Sequence, residues 1–410
     1  MITVPEAMDS ILQTAALLPT ERCSLEQATG RVLASDVLSQ WNSPPFDKSL
    51  MDGFALCFDS EPQTGDRFQI TETVTAGEVP TQPLQSGEAV RIMTGAMLPE
   101  NTTGVAPIEI TESATPETVK LLKPIGAEAN LMRKATSLAQ GDLALSAGIP
   151  MGVAQIGLLA EIGVAHVDVA KWPEIGLLST GDELVEFAET PGPGQIRNSN
   201  QIMLASQLQH LGDPQCLGIA ADEKSILQQK ITQGLTHDML ILTGGVSVGD
   251  KDFVPQILEQ SGVETIFHGI AFKPGKPLYL GRCAREGKTD CLIFGLPGNP
   301  VSSLICCEVF VKTALRKMLG LQPFQPQPMK ATLGHEFFVR GNRPTYYPAR
   351  ILNSENGIQV HTVKWHGSAD LASTTAANGM ILFHEPGKTY EQGEIVDVMA
   401  WGEELPLPIH

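Results

Sequence analysis

Positive charge is scarce in this sequence: 28 lysines and arginines stand against 46 aspartates and glutamates, a formal net charge of −18 over 410 residues. Binding along a nucleic-acid backbone takes clustered Lys and Arg, so an extended phosphate groove is excluded and any anion must be gripped locally. Long hydrophobic runs are missing as well. None approaches the roughly 20 apolar residues that cross a bilayer, and the opening Met-Ile-Thr-Val-Pro-Glu lacks a basic segment followed by an apolar one. No nucleic acid, no membrane and a cytoplasmic location are therefore expected. The seven cysteines contain no CxxC pair, which points to reduced, mostly buried thiols rather than a disulfide framework or a zinc site. No repeat period is visible either.

What is present is ordinary for packed domains: 42% hydrophobic and 18% charged residues. Residues 6–18 carry apolar side chains at helical spacing and stop before Pro19. Ser24 with Gln27 reads as a capping box on a short helix ending at Gly30, and Arg31 to Leu38 reads as a strand leading to Pro44-Pro45. From about 66 to 123 short β-like runs alternate with Gly and Pro. From Trp172 strands and helices alternate, the pattern of a parallel sheet covered on both faces; it ends in a long helix, Val301 to Leu319. After the proline-rich stretch 322–328 the chain reads as short strands.

The predicted architecture is multidomain α/β plus β. Residues 1–43 with 138–170 form a discontinuous elongated N-terminal mixed domain, and 44–137 form an inserted small β-domain. Residues 171–321 form a central three-layer α/β/α domain with a mostly parallel sheet, and 329–410 a C-terminal β-domain.

The chemistry is expected where strands of the central domain end. Met239 to Leu242 is a short apolar run followed by Gly244, Gly245 and Gly249, a turn whose backbone N–H groups can face an anion. Three further turns accompany it: Thr180-Gly181-Asp182-Glu183, Lys273-Pro-Gly-Lys276 and Gly295-Leu-Pro297-Gly-Asn-Pro300. In an α/β sheet such turns meet along one edge, where ligands bind. Asp182, Glu183, Asp222, Asp250 and Asp252 would repel a phosphate by about 1 kcal/mol each at 4 Å even in bulk water. A divalent cation between them resolves the conflict, because Mg²⁺ is commonly held by one or two carboxylates together with substrate phosphates. Asp222 and Asp252 also precede helices and fit as N-caps. Lys273 and Lys276 fit either an anion or a solvated surface.

The same turns, together with Gly30-Arg-Val-Leu-Ala34, Pro44-Pro-Phe-Asp47, Ser49, Met51-Asp52-Gly53 and Arg91-Ile-Met-Thr94-Gly-Ala96, resemble the molybdopterin molybdenumtransferase (MoeA) family, to which the gephyrin E domain is also similar. TGDE or GGVSxG alone would also suit molybdopterin adenylyltransferases and CinA-like proteins. The resemblance implies molybdenum cofactor biosynthesis: molybdate and adenylylated molybdopterin as substrates, AMP as a product, Mg²⁺ as cofactor, and a homodimer whose site is shared between subunits. It further implies possible contact with molybdopterin adenylyltransferase and with molybdoenzyme maturation partners. Asp52, Thr94, Glu183, Lys273 and Lys276 take catalytic roles. Thr180, Gly181, Asp182, Gly244, Gly245, Ser247, Asp222, Asp252, Pro297 and Pro300 bind the pterin and its phosphates. Asp52, Asp182, Glu183 and Asp252 serve the metal. Asp52 and Thr94 are expected to reach the site from the partner subunit.

The chain departs from the family pattern at two places. Ala135-Thr136-Ser137 stands where an acidic Gly-Glu-Asp stretch is usual, and Asn101-Thr-Thr103-Gly lacks the expected aspartate, although Glu109 remains. A relative that binds or scaffolds the cofactor without inserting metal is therefore the second expectation, and nucleotide hydrolysis as in CinA-like proteins the third.

Overall fold

The computed structural model describes residues 1–246, 253–355 and 357–401, and the backbone of Leu407 and Pro408. Ser247, Gly249, Asp250 and Asp252 lie outside the described residues.

The centre of the molecule is a six-stranded sheet built from β1 (Glu174–Thr180), β2 (Asp213–Ala220), β3 (Met239–Thr243), β4 (Val263–His268), β5 (Tyr279–Cys283) and β6 (Cys291–Leu296). Its order is β2-β1-β3-β6-β5-β4. The first four are parallel, whereas β5 runs antiparallel to β6 and β4 antiparallel to β5. Strand side chains alternate faces, and both faces are apolar: Ile175, Leu177, Met239 and Ile241 join one core, Leu178, Leu240 and Leu242 the other. The helices α1 (Val4–Thr14), α2 (Val153–Glu161), α3 (Ser199–Leu208), α4 (Lys224–Gly234), α5 (Val254–Gln260), α6 (Pro300–Cys306) and α7 (Lys312–Leu319) follow in chain order. Of these, α3, α6 and α7 cover the first face and α4 and α5 the second. Truncating one fully buried leucine such as Leu240 would cost about 2–5 kcal/mol.

On the N-terminal side, Thr20–Ser24 pairs antiparallel with His166–Ala170, and one core joins Leu25, Leu33, Met151, Leu159 and Val169. A second six-stranded sheet spans Gly53 to Leu121, and a third spans Met329 to Pro408. Among the described residues no helix is long and apolar enough to cross a membrane.

Several local expectations are corrected. Ser24 makes no side-chain cap bond; it ends a strand, and only a 3₁₀ turn, Leu25–Gln27, follows. The stretch 31–38 is not one strand, because Val32 and Leu33 make only isolated bridges and regular pairing is confined to Val37–Leu38. The long C-terminal helix of the central domain is interrupted by a π-helical turn, Cys307–Val311. Helix α4 is capped at Glu223 rather than Asp222, and α5 begins after Phe253 without a side-chain cap. The thiols, expected to be mostly buried, are so only at Cys291, Cys306 and Cys307; Cys23, Cys57 and Cys283 are half-buried and Cys216 is exposed.

Candidate active site

The four turns meet, and the register explains how. Ser179 lies opposite Thr243, Thr243 opposite Leu296, and Tyr279 opposite Gly295. The ends of β1, β3 and β6 therefore share one edge. Because β5 is antiparallel, its amino end lies on that edge too, which brings the Lys273–Lys276 turn preceding it to the same rim.

Glycine makes the close approach possible. Gly244 has φ +83°, and a Cβ there would stand 2.5 Å from the carbonyl oxygen of Thr180; at Gly245, φ +62°, it would stand 2.6 Å from Thr180 Oγ1. Only a residue without Cβ lets the end of β3 lie against the end of β1. The rim is tied together by Ser179 Oγ, 3.0 Å from both Thr243 Oγ1 and Asn198 Oδ1, and by the Gly244 N–H donating to Leu296 O at 3.3 Å. Asn198 is also the N-cap of α3, its side chain accepting from the Gln201 N–H.

The result is a crevice of about 370 Å³ lined by Thr180, Glu183, Asn200, Gly244, Gly245 and Pro297, among others. It adjoins a cleft of about 820 Å³, the two sharing Pro277, Pro297 and Asn299 in their walls. The cleft lies between the central and C-terminal domains. Lys273, Lys276, Arg340 and Arg343 line it, Trp365 and Tyr347 add aromatic surface, and among the described residues its lining holds no aspartate or glutamate. In a chain of net charge −18, four cations with no carboxylate among the described lining residues make a local anion trap.

Main-chain bonds hold that cleft in shape. The Lys273 N–H donates to Pro344 O at 3.0 Å and Lys273 O accepts from the Tyr346 N–H at 2.8 Å. Lys273 Nζ donates to Arg340 O at 3.3 Å and Arg343 Nη1 to Phe272 O at 2.8 Å. At the start of α6, the Val301 N–H donates to Ser368 O and Asn299 Nδ2 to Ser368 Oγ, both at 3.0 Å. Beneath the lysine turn, Gly275 leaves room for buried Cys306, whose thiol burial pushes to a high pKa, as it does for Cys307; Cys291 is pushed up to about 12. Buried, protonated thiols of this kind are packing groups, not reactive ones.

The acids sit in and beside the Thr180 turn. Asp182 Oδ1 accepts from the Asp222 N–H at 2.9 Å, and Ile196 N–H donates to Glu183 O at 2.8 Å. The Glu183 carboxylate folds back over Gly181, where a Cβ would stand 2.5 Å from Oε2. Among the described residues no three His, Cys, Asp or Glu converge as a metal cage. A crevice-lining carboxylate with a second one adjacent, on exposed turn residues, fits a hard cation that takes its remaining ligands from substrate phosphates and water. Gly181, Asp182, Asp222 and Pro300 are not in the crevice lining; Pro300 opens α6.

Asp52 and Thr94 lie together in the small β-domain. The Thr94 N–H and Oγ1 both donate to Asp52 Oδ1 at 2.7 Å, and these two bonds hold its carboxyl below the usual range. Neither residue lines the crevice or the cleft within this chain. At the divergent stretch, Arg133 pairs with Asp47 at 2.6 Å and with Glu128 at 2.5 Å, and Ala135 adopts φ 62°.

Comparison with known proteins fixes the family. A family model described as "MoeA N-terminal region (domain I and II)" matches residues 2–163, "Probable molybdopterin binding domain" matches 176–317, and "MoeA C-terminal region (domain IV)" matches 330–401. A molybdopterin molybdenumtransferase of Staphylococcus aureus (strain Mu50) is 31% identical over 406 residues, covering 97% of this chain and 95% of that one. The chain belongs to the MoeA family. A molybdopterin molybdenumtransferase of Staphylococcus epidermidis is also 31% identical, over 99% of this chain and 98% of its own. The crystal structure of a molybdopterin biosynthesis MoeA protein from Pyrococcus horikoshii OT3 superposes with a TM-score of 0.82 at 26% identity, covering 98% of this chain and all of that one. The flanking N- and C-terminal matches decide for MoeA over the adenylyltransferases and CinA-like proteins. The family is enzymatic and acts in molybdenum cofactor biosynthesis.

The sequence reading missed Arg340, Arg343 and Asn200 as site residues. The two arginines lie far along the chain in the C-terminal part and carry no spacing signal relative to the lysines, whereas Asn200, in the first turn of α3, has no motif to mark it.

Proposed function

We propose that this chain inserts molybdenum into adenylylated molybdopterin, releasing AMP and molybdenum cofactor, and that the crevice and cleft together form the site. The observation that carries this reading is their adjacency, with Pro277, Pro297 and Asn299 in both walls. A glycine-walled crevice at the strand ends adjoins a four-cation cleft with aromatic walls, as an elongated substrate with a ring, a pyrophosphate and an incoming oxyanion requires. Past Gly244, whose N–H is taken by Leu296 O, the turn from Gly245 onward would bring main-chain donors to the phosphates. Lys273 and Lys276, supported by Arg340 and Arg343, hold negative charge in place and stabilise what develops as the phosphoanhydride breaks. Molybdate is drawn into the same positive field.

Mg²⁺ belongs to the proposal, with Asp182, Glu183, Asp252 and an Asp52 supplied across the dimer as its ligands; when bound it would neutralise phosphate charge. The homodimer is likewise proposed. Asp52 and Thr94 stand exposed and away from the crevice of their own chain, so a partner subunit would have to present them. A cytoplasmic location and contact with an adenylyltransferase and molybdoenzyme maturation proteins complete the reading.

Incubation with adenylylated molybdopterin, molybdate and Mg²⁺ tests it, with AMP followed over time. Molybdate-dependent release is expected. Binding without release would favour the scaffold reading, to which the carboxylate-free stretches Asn101–Gly104 and Ala135–Ser137 lend support. AMP release from simple dinucleotides without molybdate would favour hydrolysis.

A further inference from the structure

Two polar atoms of crevice-lining residues are buried with no hydrogen-bond partner among the described residues. Asn200, at the start of α3, is 9% exposed and lines the crevice. Its Nδ2 donates to the carbonyl oxygen of Gly298 at 2.7 Å, while its Oδ1 is buried without a partner. A peptide carbonyl can only accept, so the orientation of the amide is fixed: the NH₂ faces Gly298 and Oδ1 is the group left over. Thr180 Oγ1, on a residue 3% exposed and lining the same crevice, is likewise unpartnered. Buried polar atoms are almost always paired, and an unpaired one costs about as much as a lost hydrogen bond. A ligand that supplies N–H donors at this wall removes that cost.

We infer that Asn200 is a specificity residue whose Oδ1 accepts a hydrogen bond from an exocyclic amino group on a fused heteroaromatic ring of the substrate, with the Thr180 hydroxyl as its neighbour on the crevice wall. The inference rests on the molybdopterin reading above. Adenylylated molybdopterin carries two such groups, the 2-amino group of the pterin and the 6-amino group of adenine. Asn200 Oδ1 cannot donate, so a ring bearing an oxo group at that position sets acceptor against acceptor. Discrimination therefore comes from a group left unpaired rather than from size.

Two pairs of probes test this by competition binding: pterin-6-carboxylate against lumazine-6-carboxylate, and AMP against IMP. In each pair an oxo group replaces the amino group. The wild type is expected to prefer the amino member of one pair by roughly tenfold or more, and the pair that shows the preference identifies the ring. In Asn200→Ala the ratio should fall to within about twofold, the oxo member losing little. A residue that merely braced the Gly298 turn would weaken both members alike and leave the ratio standing. Equal affinities within both pairs in the wild type, or a ratio that survives in the variant, overturns the inference and leaves the proposed function intact. If the wild type binds none of the four and releases no AMP in the assay above, the molybdopterin reading falls and takes the inference with it.

Discussion

The substitution that most directly probes the site is Gly244→Ala. Two costs can be read from the structure. The residue sits at φ +83°, where an L side chain loses about 1–2 kcal/mol. The new methyl would also stand 2.5 Å from the Thr180 carbonyl and 3.2 Å from its hydroxyl. The first of these is backbone at the end of a buried neighbouring strand and cannot swing aside, so relieving the overlap costs a further ~1–3 kcal/mol. The sum is about 2–5 kcal/mol, and the relief must come from parting the ends of β1 and β3 at the crevice wall. Gly262→Ala is the control: its φ is +82°, yet a Cβ there meets nothing within 4 Å, so only the conformational cost applies. Urea denaturation should place Gly244→Ala at least ~1 kcal/mol below Gly262→Ala. Its affinity for molybdopterin should fall roughly tenfold or more, with Gly262→Ala binding as the wild type does. If the two variants are equally stable and both bind normally, the close approach of the strand ends does not shape the site.

Lys276→Ala should raise the barrier to AMP release by about 2–4 kcal/mol, through loss of one charge-assisted donor; unchanged turnover would remove this lysine from the reaction. Arg343→Ala removes both a cleft cation and the bond to Phe272 O, so molybdate affinity should drop and its salt dependence flatten, as titrations at several ionic strengths would show. Asp238 lies at the opposite edge of the sheet. Burial pushes its carboxyl up, but Arg285 at 2.8 Å, the Glu174 N–H and Lys171 outweigh this and hold it below the usual range. A lowered folded pKa contributes stability above the unfolded value of ~3.9 and loses it as pH falls through the folded value. Asp238→Ala should therefore cost about 3–5 kcal/mol near neutrality. Asp238→Asn should show a shallower acid limb in urea midpoints measured against pH, with molybdopterin affinity unaltered.

The sequence by itself determined the elements and their punctuation. Short apolar runs bounded by glycine became β1, β3 and β6, since such runs are stable only when covered on both faces. Gly244, Gly245 and Gly275 marked places where backbone or a buried thiol comes too close for a Cβ. Local regularity was less legible. Ser24 and Arg31–Leu38 misled because capping and strand propensity are weak against the pairing of Thr20–Ser24 with His166–Ala170. What only the tertiary structure decided was who meets whom. The lysine turn reaches the rim because β5 runs antiparallel, a choice that periodicity cannot encode. Arg340 and Arg343 join the cation set because the C-terminal part is stitched to Lys273 by main-chain bonds and to Phe272 O by the Arg343 guanidinium. Asn200 stands out because Gly298, almost a hundred residues away in the chain, takes its NH₂ and strands its oxygen. Charge, burial and unpaired hydrogen-bonding capacity are properties of a place in space, and a chain acquires them only when distant segments converge on it.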